Sequence, residues 1–246
     1  MVSVYRKAGI TLYLGDYLDV LDGARFDALI TDPPYSMRTH LGALSTTGEG
    51  GVSQYEAWAP CDAAELVEWA HDRCTGWIVV HTDHVLAAHV ERQAAILDRY
   101  AFPPRWVHQH QPRVSGDGPA EPGHYLSVSR PREARFCRWG SLPGMYIARR
   151  DGTHIRGGKP LELMRAIVRD YTQPRPGEDP NQTDMVCDPC AGAGTTLLAA
   201  ALEGREAIGA EVDEAQWERA CKRIEAHAIT PPLRFGGTKM RQEDLL

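Results

Sequence analysis

One stretch limits the possible folds more than any other: Met185-Val186-Cys187, then Asp188-Pro189-Cys190-Ala191-Gly192-Ala193-Gly194, then the helical run Thr195 to Glu203. A short apolar strand that enters a glycine turn and leaves as a helix is a unit of α/β architecture. The two glycines let a ligand come close to the backbone, and the helix start offers N–H groups without intrahelical partners. The next strand, Glu206 to Ala210, runs into Glu211. An acid at that position can accept hydrogen bonds from both hydroxyls of a ribose. A dinucleotide site carries a third glycine, G-x-G-x-x-G, whereas this chain reads Gly192-Ala193-Gly194-Thr195-Thr196. The pattern therefore predicts a nucleoside cofactor that lacks a pyrophosphate.

The rest of the chain continues the alternation. Thr11–Leu14, Asp27–Thr31, Trp77–His81, Arg105–His108 and Tyr125–Val128 read as strands. Asp62–Arg73, Asp83–Arg99, Lys159–Tyr171 and Glu214–His227 have helical spacing, with Asp62 placed to cap the first and Pro160 suited to the first turn of the third. With the two strands above, this predicts a seven-stranded, mostly parallel sheet with helices on both faces. Residues 36 to 60, rich in Gly, Ser and Thr, read as a long loop of the kind that serves function.

The strand Asp27–Thr31 ends in Asp32-Pro33-Pro34-Tyr35. Prolines cannot continue a central strand, so the chain turns here with its groups held rigidly. The Asp32 carboxylate can accept a hydrogen bond from an amine. The Pro33 carbonyl belongs to a turn and can accept a second. Tyr35 offers a ring on which a base can stack. A strand-ending turn with a buried tyrosine is the plain alternative, and the glycine turn downstream favours the functional reading.

Charge distribution says more than its total. The net charge is −6, yet Arg99 to Lys159 holds eleven Lys/Arg against four acids, a local balance of +7. Arg130, Arg132, Arg135, Arg138, Arg149 and Arg150 fall in it, and arginine is the better reader of phosphate and guanine. A merely solvated arginine-rich surface is the bland counterpart. Cys187 and Cys190 have CxxC spacing, but no second pair completes a zinc site, and six cysteines in 246 residues are not a disulfide framework. His81, His84, His89, His108 and His110 lack carboxylates at familiar metal spacing, so no metal is expected. No apolar run reaches membrane-spanning length and the first residues have no secretory core, which predicts a cytoplasmic protein.

Together these segments resemble the DNA amino-methyltransferases, which modify adenine N6 or cytosine N4 with S-adenosyl-L-methionine. Gly15-Asp16-Tyr17-Leu18-Asp19-Val20-Leu21 followed by Asp27 to Tyr35 resembles the catalytic segment of that family. Gly158-Lys159-Pro160-Leu161-Glu162-Leu163 resembles its helix start before the cofactor strand, and Asp188 to Thr196 with Gly209-Ala210-Glu211-Val212-Asp213 resembles its cofactor half. The catalytic motif comes first, the circularly permuted order of the beta class. The resemblance implies a Rossmann-like methyltransferase sheet. It divides the chain into a catalytic half (1–129), a short target-recognition insertion (130–157), a cofactor-binding half (158–229) and a tail (230–246). It assigns catalysis to Asp32, Pro33, Pro34 and Tyr35. Asp16 would meet the cofactor's adenine, Glu211 its ribose, and Asp188, Gly192 and Gly194 its methionine end, with Cys190, Thr195 and Lys159 in the same site. Cys190 stands where the family often has phenylalanine. The six arginines would contact double-stranded DNA with one base flipped out, and a homodimer is implied. Asp at the first motif position accompanies adenine more often than cytosine. Cytosine N4, an amine in RNA, and a catalytically silent nucleic-acid-binding subunit stay open.

Overall fold

The structure, a computed structural model, describes residues 2–41, 56–113, 121–133, 141–148, 158–172 and 184–227. The chain runs β1 (Val4–Lys7), β2 (Ile10–Leu14), α1 (Tyr17–Val20), β3 (Phe26–Thr31), α2 (Pro60–His71), β4 (Cys74–Thr82), α3 (Ala87–Ile96), β5 (Arg99–Arg113), β6 (Glu121–Pro131) and β7 (Met145–Ala148). It continues α4 (Leu161–Tyr171), β8 (Met185–Asp188), α5 (Thr195–Leu202), β9 (Glu206–Glu211) and α6 (Glu214–Ala226). All strands join one sheet in the order β1-β2-β9-β8-β3-β4-β6-β5-β7.

The central strands are apolar on both faces because both faces are covered. On β3, Ala28 and Ile30 point to one core with Leu163, Met164, Ile167, Ala220 and Ile224 of α4 and α6. Phe26 and Leu29 point to the other, with Leu66, Val67, Ala70 and Val90 of α2 and α3. β4 alternates likewise, Trp77 and Val79 against Ile78 and Val80. The α/β class, the mostly parallel sheet and the two helical layers are thus as the sequence predicts.

The count is nine described strands where seven are predicted. The two extra, β1 and β7, are the sheet's edges. Each has four residues and is only partly buried, so neither carries the continuous apolar run that marks an interior strand. β5 and β6 also extend well beyond their predicted apolar centres. Among the described residues no helix is long and apolar enough to cross a membrane.

The sequential crossing from β8 to β9 depends on one glycine. A Cβ at Gly209 would lie 2.7 Å from the Asp188 carbonyl oxygen and 3.0 Å from Leu197 of α5, whose residues 195 to 201 are all buried. Gly209→Ala should therefore destabilise the protein by about 1–3 kcal/mol, the usual cost of overpacking. A urea midpoint unchanged from wild type would contradict this packing.

Candidate active site

The parallel strands bring chemically distinct residues to one rim of the sheet. At the carboxyl ends of adjacent strands stand Asp16 after β2, Glu211 at the end of β9, Asp188 at the end of β8, Asp32 after β3 and His81 near the end of β4. Open α/β sheets bind ligands at this rim.

One side of this rim is built around the glycine turn. Gly192 (φ +51°) and Gly194 (φ +71°) occupy the left-handed region, but for different ends. A Cβ at Gly192 would meet nothing within 4 Å, so its backbone borders open space. A Cβ at Gly194 would lie 3.1 Å from Ala220, so that glycine lets α6 pack against the start of α5. The Gly192 N–H donates to Glu211 Oε2 at 2.6 Å, and the Asp213 N–H to Glu211 Oε1 at 2.9 Å. Burial raises the Glu211 carboxyl above its ordinary value, opposed by these two donors. Asp16 is exposed and caps α1 by accepting from the Leu18 N–H. Thr195 is buried and its hydroxyl accepts from Arg223 at 2.6 Å.

Asp188 is buried beneath the turn. It accepts from Thr31 Oγ1 at 2.7 Å and the Cys190 N–H at 3.2 Å. Burial pushes its carboxyl up to about 6; the Thr31, Thr196 and Cys190 donors counter this, and Asp32 nearby adds to it. Cys187 is fully buried and Cys190 partly so, with both thiols raised well above their ordinary range by burial. No group of three metal-capable side chains occurs among the described residues.

In the turn after β3, Pro33 is buried and Asp32 and Tyr35 are half-buried. Lys159, which the sequence reading placed with the cofactor, meets the Asp32–Tyr35 turn. Its ammonium donates to Asp32 Oδ1 and Oδ2 at 2.7 and 2.8 Å and to the Tyr35 hydroxyl at 2.9 Å, and it lies 5.0 Å from the centre of the Tyr35 ring.

Sequence reasoning missed a second support of this loop. Asp83, legible only as a helix start, takes the Val85 and Leu86 N–H groups on Oδ1. On Oδ2 it takes the Ser36 N–H and the hydroxyls of Ser36 and Thr39. Burial alone would raise its carboxyl, but the Ser36, Thr39 and Leu86 donors hold it below the ordinary range. The Trp58 N–H returns to the Tyr35 carbonyl at 3.1 Å, closing the base of the predicted loop, most of which lies outside the described residues.

The arginines divide. Arg135, Arg138, Arg149 and Arg150 lie outside the described residues. Arg99, counted in the basic stretch, is buried and bonds the Gly76 carbonyl and Ser129. Arg130 lies over Tyr100 and Phe102, and Arg132 pairs with Asp98. Because β6 runs antiparallel to β4, with Ser129 opposite Ile78 and Leu126 opposite His81, Arg130 stands four residues of strand from the catalytic rim, on the order of 13 Å. The structure does not bring Arg130 and Arg132 beside Asp32.

Residues 142–222 match the family model for DNA methylases, a span that covers the helix start at Lys159, the glycine turn and Glu211. Over this span the chain is similar to the DNA methylase family. The fold is similar to that of M1.HpyAVI in complex with S-adenosyl-L-methionine (TM-score 0.65, 19% identity, covering 87% of this chain and 99% of that one). It is also similar to TTHA0409 of Thermus thermophilus, described as a DNA modification methylase, again with S-adenosyl-L-methionine (TM-score 0.56, 22% identity, 87% and 92%). The cytosine-N4-specific PvuII DNA methyltransferase superposes over 99% of this chain and 94% of its own, with a TM-score of 0.62 and 14% identity. No curated protein matches the chain.

The raised Asp188 carboxyl has a consequence for stability. Its folded value near 6 lies above its ordinary 3.8, so between these the folded state holds a proton that the unfolded chain has released. Stability from this group is then greatest below about pH 4 and declines as pH rises through 6, by up to roughly 3 kcal/mol. Asp188→Asn should remove that decline. Urea unfolding at pH 4 and pH 7 checks it, and an equal pH dependence in variant and wild type would refute the assignment.

Proposed function

We propose that this protein transfers the methyl group of S-adenosyl-L-methionine to the exocyclic amine of a base in DNA, with adenine N6 the preferred target. The observation that carries the reading is the adjacency of two loops. The Asp32–Tyr35 turn and the glycine turn leave neighbouring strands and are tied beneath by Thr31 and Asp188.

The residues fit such a cofactor. Gly192 borders open space, Glu211 at the neighbouring strand end offers lone pairs for ribose hydroxyls, and the acids Asp16, Glu211 and Asp188 suit a ligand bearing positive charge. The bound cofactor supplies a methyl group already activated by its sulfonium charge.

The chain's own work is on the amine, whose lone pair is delocalised into the base ring. Asp32 and the Pro33 carbonyl each accept one of its N–H bonds, which favours a pyramidal, nucleophilic nitrogen. Among the described residues none donates to that carbonyl. Charge that develops on nitrogen meets the Asp32 carboxylate, held in place beforehand. Lys159 donates to both Asp32 oxygens and so steadies the carboxylate, and each oxygen keeps a lone pair for the amine. A base inside a duplex cannot reach this rim, so it flips out and stacks on Tyr35. Asp32 supports adenine by the family tendency, and the likeness to the PvuII enzyme keeps cytosine N4 as the second reading.

Labelled cofactor incubated with genomic DNA, followed by digestion to nucleosides, should place label in the N6-methylated deoxyadenosine. Label in N4-methylcytosine would overturn the choice of base, and no label in either would overturn the function. Mapping the modified sites gives their sequence context. Asp32→Ala should abolish transfer and leave calorimetric cofactor binding within about threefold, a change of under 1 kcal/mol; an active variant would refute its role.

Lys159→Met separates the two placements of that lysine. On the geometry here it should lower kcat by at least about tenfold, near 1.4 kcal/mol, while cofactor affinity changes little. A weakened cofactor affinity with unchanged kcat would return Lys159 to the cofactor side.

A further inference from the structure

Two histidines stand beside the catalytic loop with no part in the chemistry so far. His81 lies near the end of β4 and His124 on β6, both buried, with 0% and 6% of their surface exposed. His81 Nδ1 and His124 Nε2 are 2.8 Å apart. Burial and the nearby Lys159 charge lower both, His81 to about 3, so both rings are neutral.

A count of protons then defines what is left over. Two neutral imidazoles carry two N–H groups and two lone pairs. The shared bond uses one of each. One N–H and one lone pair remain, at His124 Nδ1 and His81 Nε2, and neither atom has a partner among the described residues. An unmet buried polar group costs about 1–3 kcal/mol, so such groups call for an explanation.

Location supplies one. The other unpartnered buried side-chain atoms, on Trp69, His71 and Arg73, belong to the end of α2 and the turn before β4, with Trp69 packed on Phe26 at the start of β3. That is the opposite end of the sheet. The histidine pair alone stands at the catalytic rim, with the His124 ring 6.2 Å from that of Tyr35.

We propose that His124 Nδ1, with its ring fixed by His81, donates a hydrogen bond to the ring nitrogen beside the amine being methylated, N1 of adenine or N3 of cytosine. This rests on the function proposed above. In the duplex that nitrogen is paired, and flipping strips its partner. Asp32 and Pro33 serve the amine and leave the ring nitrogen unmet. A neutral donor suits it. A cationic donor would draw electron density through the ring from the amine and weaken the nucleophile, and burial of the pair keeps the donor uncharged. Donation from His124 Nδ1 requires His81 Nδ1–H to donate to His124 Nε2, so His81 sets the tautomer and is a positioning residue.

The test is a double-mutant cycle on DNA and protein. Duplexes carry the mapped site with either the natural base or its 1-deazaadenine or 3-deazacytosine analogue, which keeps the amine and lacks the ring nitrogen. Differences in intrinsic reactivity cancel between enzymes. In wild type the analogue should lower kcat/KM about tenfold beyond the ratio seen in His124→Phe, the size of one neutral hydrogen bond. His124→Asn, which restores a donor on a shorter side chain, should recover part of that discrimination. Cofactor calorimetry on each variant shows that the fold persists. A penalty equal in all three proteins overturns the proposal. Should the phenylalanine variant fail to bind cofactor, wild type against His124→Asn decides, and an undiminished penalty in the latter overturns it. Wild type that methylates no amine overturns the broader function instead.

Discussion

The hydrogen bond from Thr31 to Asp188 is the joint on which the site depends. It links residues 157 apart in sequence, one closing β3 and the other closing β8. The catalytic motif lies in the first seventh of the chain and the glycine turn in the last quarter. Only the parallel pairing of β3 with β8 makes them neighbours. Because Asp188 also receives the Cys190 N–H, the bond couples the end of the catalytic strand to the first peptide of the glycine turn. Displacing either strand end displaces both loops. The buried carboxyl that makes this joint is costly, as its raised value shows, and a fold that keeps it at that cost gains a fixed distance between the two loops.

Much of this is legible in the sequence. β3, β4, β8 and β9 are apolar on both faces and bounded by turn residues, so interior strands could be read as continuous runs. The motifs at their ends could be read because prolines and glycines restrict backbone geometry in ways that sequence records. The edge strands β1 and β7 were not legible, since half-exposed four-residue strands carry no strong period. The arginine stretch misled in part. Composition reports charge but not depth, and Arg99 is an interior group bonded to Gly76 and Ser129.

Contacts that cross from one element to another escaped sequence reasoning altogether. Lys159 precedes a helix whose resemblance places it with the cofactor, yet a four-carbon stem reaches over the rim to Asp32 and Tyr35. Asp83 looks like any acid before a helix, and one oxygen does serve that end. The other holds Ser36 and Thr39, and with them the exit of the catalytic turn. The histidine pair is formed by residues 43 apart, on strands whose antiparallel pairing no local pattern specifies.

The charge layout of the rim bears on how a negatively charged protein would meet the proposed DNA substrate. Asp16, Glu211, Asp188 and Asp32 form a line of acids, with Lys159 set against the last. Such a line favours a cationic cofactor and opposes phosphate. The proposed substrate resolves the conflict by geometry, because a flipped base is neutral and extends away from its own backbone. The base can enter among the acids while its phosphates stay outside, at a distance where salt at physiological strength screens much of the repulsion. Attraction for the phosphates must then come from elsewhere on the chain. Arg130 and Arg132 lie at the far end of β6, so proximity to Asp32 gives them no claim to that role. The arginines in the stretches 134–140 and 149–157 flank β7 in sequence, and the second stretch leads into Lys159.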